Sequence, residues 1–167
     1  MELERAGRLE AVVTQNVDGL HRAAGSSAER LVELHGTNAE GKCVACPKRE
    51  PIAACFERFR ADGAPPRCLD CGELMQPAVV MFGQSLEPET LRRANAAAER
   101  ADLVLALGSS LTVTPAANVP LVAVRRRVPY VVVNRGATPH DELCTLKVDM
   151  DVDEVVPPAV RALALRA

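Results

Sequence analysis

Short runs of apolar residues alternate along the chain with longer stretches whose apolar positions recur at helical spacing. Ala11-Val12-Val13 lies inside LEAVVTQ, DLVLALG (102–108) and VPYVVVN (128–134) are near-continuous Val/Leu runs, and CTLKVDMD adds a shorter fourth. Runs of this length without polar alternation are strands buried on both faces. Between them, EPETLRRANAAAERA (87–101) predicts a helix, acidic at its start and rich in Ala and Arg afterwards. TPAANVPLVAVRRR (114–127) predicts another, with Thr114 as N-cap and Pro115 at the first helical position. Residues 2–8 read as the tail of a helix ended near Gly7. DEVVPPAVRALALRA reads as an amphipathic helix, starting most securely at its prolines. Strands and helices in this alternation specify an α/β fold, a parallel sheet covered on both faces with right-handed crossovers. Ligands bind such sheets at the carboxyl ends of the strands.

The segment 41–75 breaks the pattern. It holds cysteines and prolines around one short helix, at roughly 51–61, and reads as a small inserted module. The division predicted is therefore 1–40 and 76–167 for the sheet domain and 41–75 for the module. A chain of 167 residues is one domain of ordinary size, long enough to bury about 70% of its unfolded surface. With 48% hydrophobic but only 2% aromatic residues, the core is built of Val, Leu and Ala. A net charge of −2 and the lack of basic patches interleaved with aromatics argue against nucleic-acid or membrane-surface binding. MELERAGRLE is charged from its second residue, unlike a signal peptide, and no run reaches the ~18 apolar residues of a membrane helix. A cytoplasmic setting is expected, in which thiols stay reduced.

The cysteines then read as metal ligands. CVAC supplies Cys43 and Cys46, CLDC supplies Cys68 and Cys71, and 21 residues lie between the pairs. Two such knuckles point four thiolates at one tetrahedral zinc. A thioredoxin-type redox motif occurs singly, which disfavours that alternative. With four Cys ligands no coordination position is left for water, so the expected zinc is structural. Cys55 and Cys144 are expected to be packing residues.

Three of the strands end in polar residues: the first in Gln15, Asn16 and Asp18, the second in GSSLTVTP (Gly108–Pro115), the third in Asn134. Each alone is an ordinary turn. Together they converge on one crevice. Gly108 allows close approach to the backbone, Ser109 and Ser110 offer donors to phosphate or ribose oxygens, and Asn134 suits a ribose hydroxyl. No G-x-G-x-x-G is present. His35, in ELHG, falls in a loop just before the module. QPAVVMFG (76–83) leaves the module as an apolar extended segment, either a core strand or an edge that accepts a peptide.

TQNVDGLH, ELHG, the two CxxC pairs, PAVVMFG, GSSLTVTPA and VVVN stand in the order found in sirtuins, the NAD-dependent protein deacylases, and the resemblance covers essentially the whole chain. It implies a Rossmann-type domain with a zinc-ribbon module, and NAD and an acyl-lysine peptide or protein meeting in the cleft between them. Asn16 and Asp18 would line the nicotinamide pocket, Gln15 would reach the nicotinamide ribose, and His35 would be the general base on that ribose. Val79, Val80, Phe82 and Gly83 would hold the acyl-lysine substrate. Gly108, Ser109, Ser110 and Asn134 would bind the adenosine-side ribose and phosphates. The implied products are free lysine, nicotinamide and 2′-O-acyl-ADP-ribose. The residue types suit this chemistry. A carboxamide pairs with Asp and Asn, and His is the base whose ordinary pKa lies near neutrality.

The chain departs from the family pattern in places. Gln84 and Gln76 stand where the family usually has Glu and Arg. The Gly-rich strand–turn–helix and the FR motif with which the family's domain opens have no counterpart here. That segment cradles pyrophosphate and shields the reacting ribose. The chain alone is therefore expected to be a poor catalyst, and the alternative to a deacylase is a non-catalytic, zinc-stabilised fragment or interaction module.

Overall fold

In the computed structural model, which describes residues 2–164, a single-turn helix α1 (Glu2–Arg5) precedes the first strand, β1 (Val12–Thr14). Helix α2 (Leu20–Ala23) crosses to β2 (Leu31–Glu33), which runs parallel to β1 with Val12 opposite Leu31. Next come β3 (Gly36–Cys43), β4 (Arg49–Pro51), α3 (Ile52–Asp62) and β5 (Met75–Val79), whose strands form an antiparallel sheet in the order β4-β3-β5. Helix α4 (Pro88–Arg100) leads to β6 (Val104–Leu107), and α5 (Leu121–Arg126) to β7 (Tyr130–Val133). Strand β8 (Leu146–Val148) completes a parallel sheet, β6-β7-β8, before α6 (Val152–Ala164). The architecture is α/β, a partial Rossmann-type parallel arrangement with a small antiparallel module inserted between β2 and α4.

Small side chains set how closely the layers approach. Ala94, Ala97 and Ala98 are the buried face of α4, and Ala94 and Ala98 pack with Val32, Leu34, Leu86, Val119 and Val122 in one core. Tyr130, the chain's one tyrosine, and Val132 are the largest fully buried side chains. They pack with Ala106, Leu111 and Ala123 in a second core on the α5 face of β6 and β7. The module has its own core of Cys43, Cys55, Cys68 and Met75. Among the described residues, β1 is paired only by β2 and β6 only by β7. Beside that open edge Leu105 and Leu107 are 43% and 39% exposed.

The helix expected over 114–127 is two pieces, a 3₁₀ turn at Ala116–Asn118 and then α5, because Pro120 has no N–H and forms the N-cap of α5 in place of Thr114. The last helix starts at Val152, one residue before the expected segment, and Pro157 and Pro158 lie inside it. Lacking N–H groups, they leave the Asp153 and Glu154 carbonyls without their usual intrahelical donors. Residues 165–167 of that expected helix lie outside the described residues. Strand β2 was not expected, since LVE is too short to show a period. Cys55 is buried and Cys144 is half-buried against the second core, as packing residues should be.

Gly36 sets how closely β3 and β5 approach at the end of the antiparallel sheet. Its φ is +77°, and a Cβ there would lie 2.1 Å from the Ala78 carbonyl oxygen of β5. No side chain fits that approach. Gly36→Ala is expected to cost about 2–4 kcal/mol and, in a chain of this size, to lower Tm by roughly 4–16 °C. Calorimetry of the variant checks this, and an unchanged Tm would mean that β3 and β5 separate there without penalty.

Candidate functional site

The backbone first brings His35 to the carboxyl end of β1. The β1–β2 register places Thr14 opposite Glu33, so Gln15 and His35 follow their strands into the same space. His35 Nδ1 lies 3.0 Å from the Gln15 carbonyl oxygen. A carbonyl only accepts, so Nδ1 carries a proton and Nε2 is the nitrogen left free for another partner. The His35 carbonyl in turn accepts the Val80 N–H at 2.9 Å, the next ladder position beyond Gly36 and Val79. His35 is thus clamped between the end of a sheet strand and the exit of the module. The ¹⁵N spectrum of its ring is expected to show the Nδ1–H tautomer. An Nε2–H tautomer would mean that the bond to Gln15 is not made.

The other strand ends gather beside it. The Gln15 side-chain amide donates to Ser109 Oγ at 3.4 Å, which joins the end of β1 to the loop after β6. Gly108, at φ +59°, donates its N–H to the Val133 carbonyl at 2.9 Å, which brings Asn134 alongside. Ser109 Oγ also accepts the Leu111 N–H, and Ser110 and Thr112 share a hydroxyl contact of 2.9 Å. Leu111 holds this loop down: it adopts φ +55° and buries its side chain in the second core. Sequence reading missed Leu111, because a positive φ at leucine has no composition signal.

Some expected site residues also do ordinary structural work. Asp18 Oδ1 accepts the Leu20 N–H at the start of α2, an Asx turn, while its other carboxylate oxygen is left over. Asn16 and Asp18 are both exposed, as are Gly108 and Ser110, so these strand ends form an open shelf rather than a closed pocket. Val79 and Val80 are half-buried at the end of β5, whose second edge is unpaired among the described residues. Beyond them the chain turns back, with the Gln84 N–H donating to the Met81 carbonyl and the Met81 N–H to Gln84 Oε1, both at 3.0 Å. Gly83 takes φ +84° in that turn, and it leaves Phe82 96% exposed.

The four cysteines of the two knuckles converge. Their sulfurs all lie within 4.8 Å of one another, with Cys43 to Cys71 at 3.5 Å and Cys46 to both Cys68 and Cys71 at 3.6 Å. Four thiolates bonded to zinc at about 2.3 Å sit about 3.8 Å apart at the corners of a tetrahedron. The Ala45 N–H donates to Cys43 Sγ at 3.4 Å and pulls the Cys43 thiol down to about 7, which favours the thiolate a metal requires. Gly72, at φ +80°, closes the second knuckle with its N–H on the Cys68 carbonyl. Donor set and spacing fit one structural zinc, and all six cysteines are free of disulfides.

A protein-family model described as the Sir2 family matches residues 1–115. The chain belongs to the Sir2 family. Among its Sir2 relatives, an NAD-dependent protein deacetylase of Thermotoga maritima is 44% identical over 153 residues, 92% of this chain and 61% of that protein. NAD-dependent protein deacetylase 2 of Streptomyces coelicolor is 42% identical over 162 residues, 97% of this chain and 67% of that protein. A solved structure described as Sir2 with a p53 peptide and NAD+ superposes with a TM-score of 0.89 at 41% identity, covering 98% of this chain and 67% of that one. Sir2 bound to an acetylated peptide superposes with a TM-score of 0.90 at 40% identity, covering 98% of this chain and 68% of that one. The chain therefore spans about three fifths to two thirds of the length of these Sir2 relatives.

Proposed function

We propose that this chain is the catalytic and substrate-contacting part of an NAD-dependent protein lysine deacylase. The observation that carries the reading is the clamp on His35, which leaves Nε2 free as a base between the polar strand ends and the 79–83 segment. Sir2 relatives of that activity and Sir2 structures with NAD+ and acetylated peptide support it. NAD, when bound, supplies an electrophilic ribose carbon with nicotinamide as its leaving group. Asn16 and Asp18 would hold the carboxamide, and Gln15 the ribose beside it. Gly108, Ser109, Ser110 and Asn134 would hold the adenosine side. His35 Nε2 would accept a proton from a ribose hydroxyl, its imidazolium charge eased by the carbonyl on Nδ1. The unpaired edge of β5 would add the substrate backbone as a further strand at Val79 and Val80, with Phe82 and Gly83 against the acyl-lysine. Residues 1–40 and 76–167 form the nucleotide-binding unit in this reading, and 41–75 the zinc module. Free thiols, and the lack among the described residues of a helix able to cross a membrane, support a cytoplasmic setting.

A second reading, a non-catalytic zinc-stabilised module, is favoured by the open edges of β1 and β6 and by the exposure of Asn16 and Asp18 to water. An assay on an acetyl-lysine peptide separates the two, run with the 167-residue chain and with a version extended upstream in frame. NAD-dependent release of nicotinamide and acetyl-ADP-ribose, read by mass spectrometry, is the result expected of a deacylase. No product from either form would leave the second reading.

A further inference from the structure

The loop after β7 carries Asn134, and Lys147 bridges its two ends. Asn134 Nδ2 lies 2.9 Å from the Arg135 carbonyl oxygen and 3.4 Å from the Gly136 carbonyl oxygen. Both neighbours only accept, so the amide nitrogen is turned into the loop and Oδ1 is the atom left for a ligand. The Gly136 carbonyl oxygen also receives Lys147 Nζ, at 2.7 Å. Lys147 and Asn134 therefore meet on one oxygen. The same ammonium reaches Asp141 Oδ1 at 3.0 Å, at the far end of the loop.

The rest of the loop serves that bridge. Asp141 accepts the Thr138 hydroxyl at 2.6 Å and the Thr138 N–H at 3.1 Å. Those bonds, with Lys147, hold its carboxyl down to about 2, so it is ionised at neutral pH. The Gly136 N–H donates to Asp149 Oδ1 at 2.7 Å, and the Arg135 guanidinium pairs with Asp151. Tyr130 and His140, both buried, meet at 2.8 Å beneath the loop. Only 19% of the Lys147 side chain is exposed, so its bonds are little screened by water.

We infer that Lys147 is a positioning residue for the nucleotide site: it locks Asn134 with Oδ1 outward, as the acceptor for a ribose hydroxyl. The inference rests on the proposed reading of Asn134 as an adenosine-side contact. Lys147 would never touch the ligand. It acts by removing the conformations in which Asn134 presents its donor instead. A hydroxyl meeting an NH₂ must turn its oxygen toward it, which loses the geometry that an outward acceptor selects.

ADP-ribose is titrated into the full chain by calorimetry, with zinc content and Tm as controls of the fold. Lys147→Met is expected to weaken binding about tenfold with Tm within a few degrees of the parent, and Lys147→Arg, which keeps charge and donors, to restore most of the affinity. Asn134→Ala combined with Lys147→Met is expected to cost no more than Asn134→Ala alone. Equal affinity of the parent and Lys147→Met overturns the inference and leaves the site reading intact. A parent chain that does not bind ADP-ribose overturns both. Should Lys147→Met fail to fold, the parent decides by NMR: the Asn134 side-chain NH₂ protons, assigned by their loss in Asn134→Asp, must exchange slowly with solvent, and rapid exchange overturns the inference.

Discussion

Stripping zinc is expected to open the module while leaving the parallel sheets folded. Apart from its short three-stranded sheet and α3, the module has only a small core. Two of the ligands, Cys43 and Cys68, are themselves among its four buried core side chains, beside Cys55 and Met75. A unit of about 35 residues with that core does not bury enough surface to stand alone. Without the ion, four thiols within 4.8 Å of one another cannot all ionise, and they lose the bonds that join the two knuckles. Binding of structural zinc is worth about 10–16 kcal/mol in small domains, so most of the module's stability is metal binding. The cores around Val32 and around Val132 share no residue with it. Purified, never-chelated protein should contain one zinc per chain by elemental analysis. After chelation, amide exchange should become fast across 41–75 and remain slow at 104–107 and 130–133. Zinc-free native protein, or unchanged protection at 41–75, would sink this account.

His35→Ala is expected to lower deacylation by a factor of about 10²–10⁴, measured in whichever form of the protein turns over the acetyl-lysine peptide. Zinc content and Tm should hardly move, because the ring makes one hydrogen bond, to the Gln15 carbonyl, and is only half-buried. Alanine keeps the backbone carbonyl that receives Val80, so the junction of module and sheet survives. The loss should fall on kcat more than on the KM for peptide, since a base acts as the proton leaves. His35→Gln is a useful companion. It can offer a donor to Gln15 but no titratable base, and it should be as slow as alanine. Near-parental turnover in either variant would show that His35 only packs the loop.

The zinc ligands were legible in the chain because knuckle spacing is local. Cys43 and Cys46 must face one ion whatever surrounds them, and Cys68 with Cys71 repeats the constraint. The parallel strands were legible as the apolar runs Val131–Val133 and Leu103–Leu107, but covering on both faces holds only for the first: Leu105 and Leu107 stand exposed at the open edge of β6. Strand β2 and the split at Pro120 were not legible. Three residues show no period, and prolines mark a boundary without saying on which side of it the helix lies.

The polar strand ends were visible as residue types, and the tertiary structure decided what each does. The protonated nitrogen of His35 is set by the Gln15 carbonyl, a backbone atom 20 positions away that no side-chain pattern reports. The orientation of Asn134 is set by carbonyls of its own turn and by Lys147, which arrives from the neighbouring strand. Gly36 could be read as a turn glycine. Only the Ala78 carbonyl oxygen, which would lie 2.1 Å from a Cβ at that position, shows that β3 and β5 meet there too closely for any side chain. Periodicity and ligand spacing follow from the geometry of a few adjacent residues, whereas hydrogen-bond direction and close backbone approach depend on which distant segments the fold brings together.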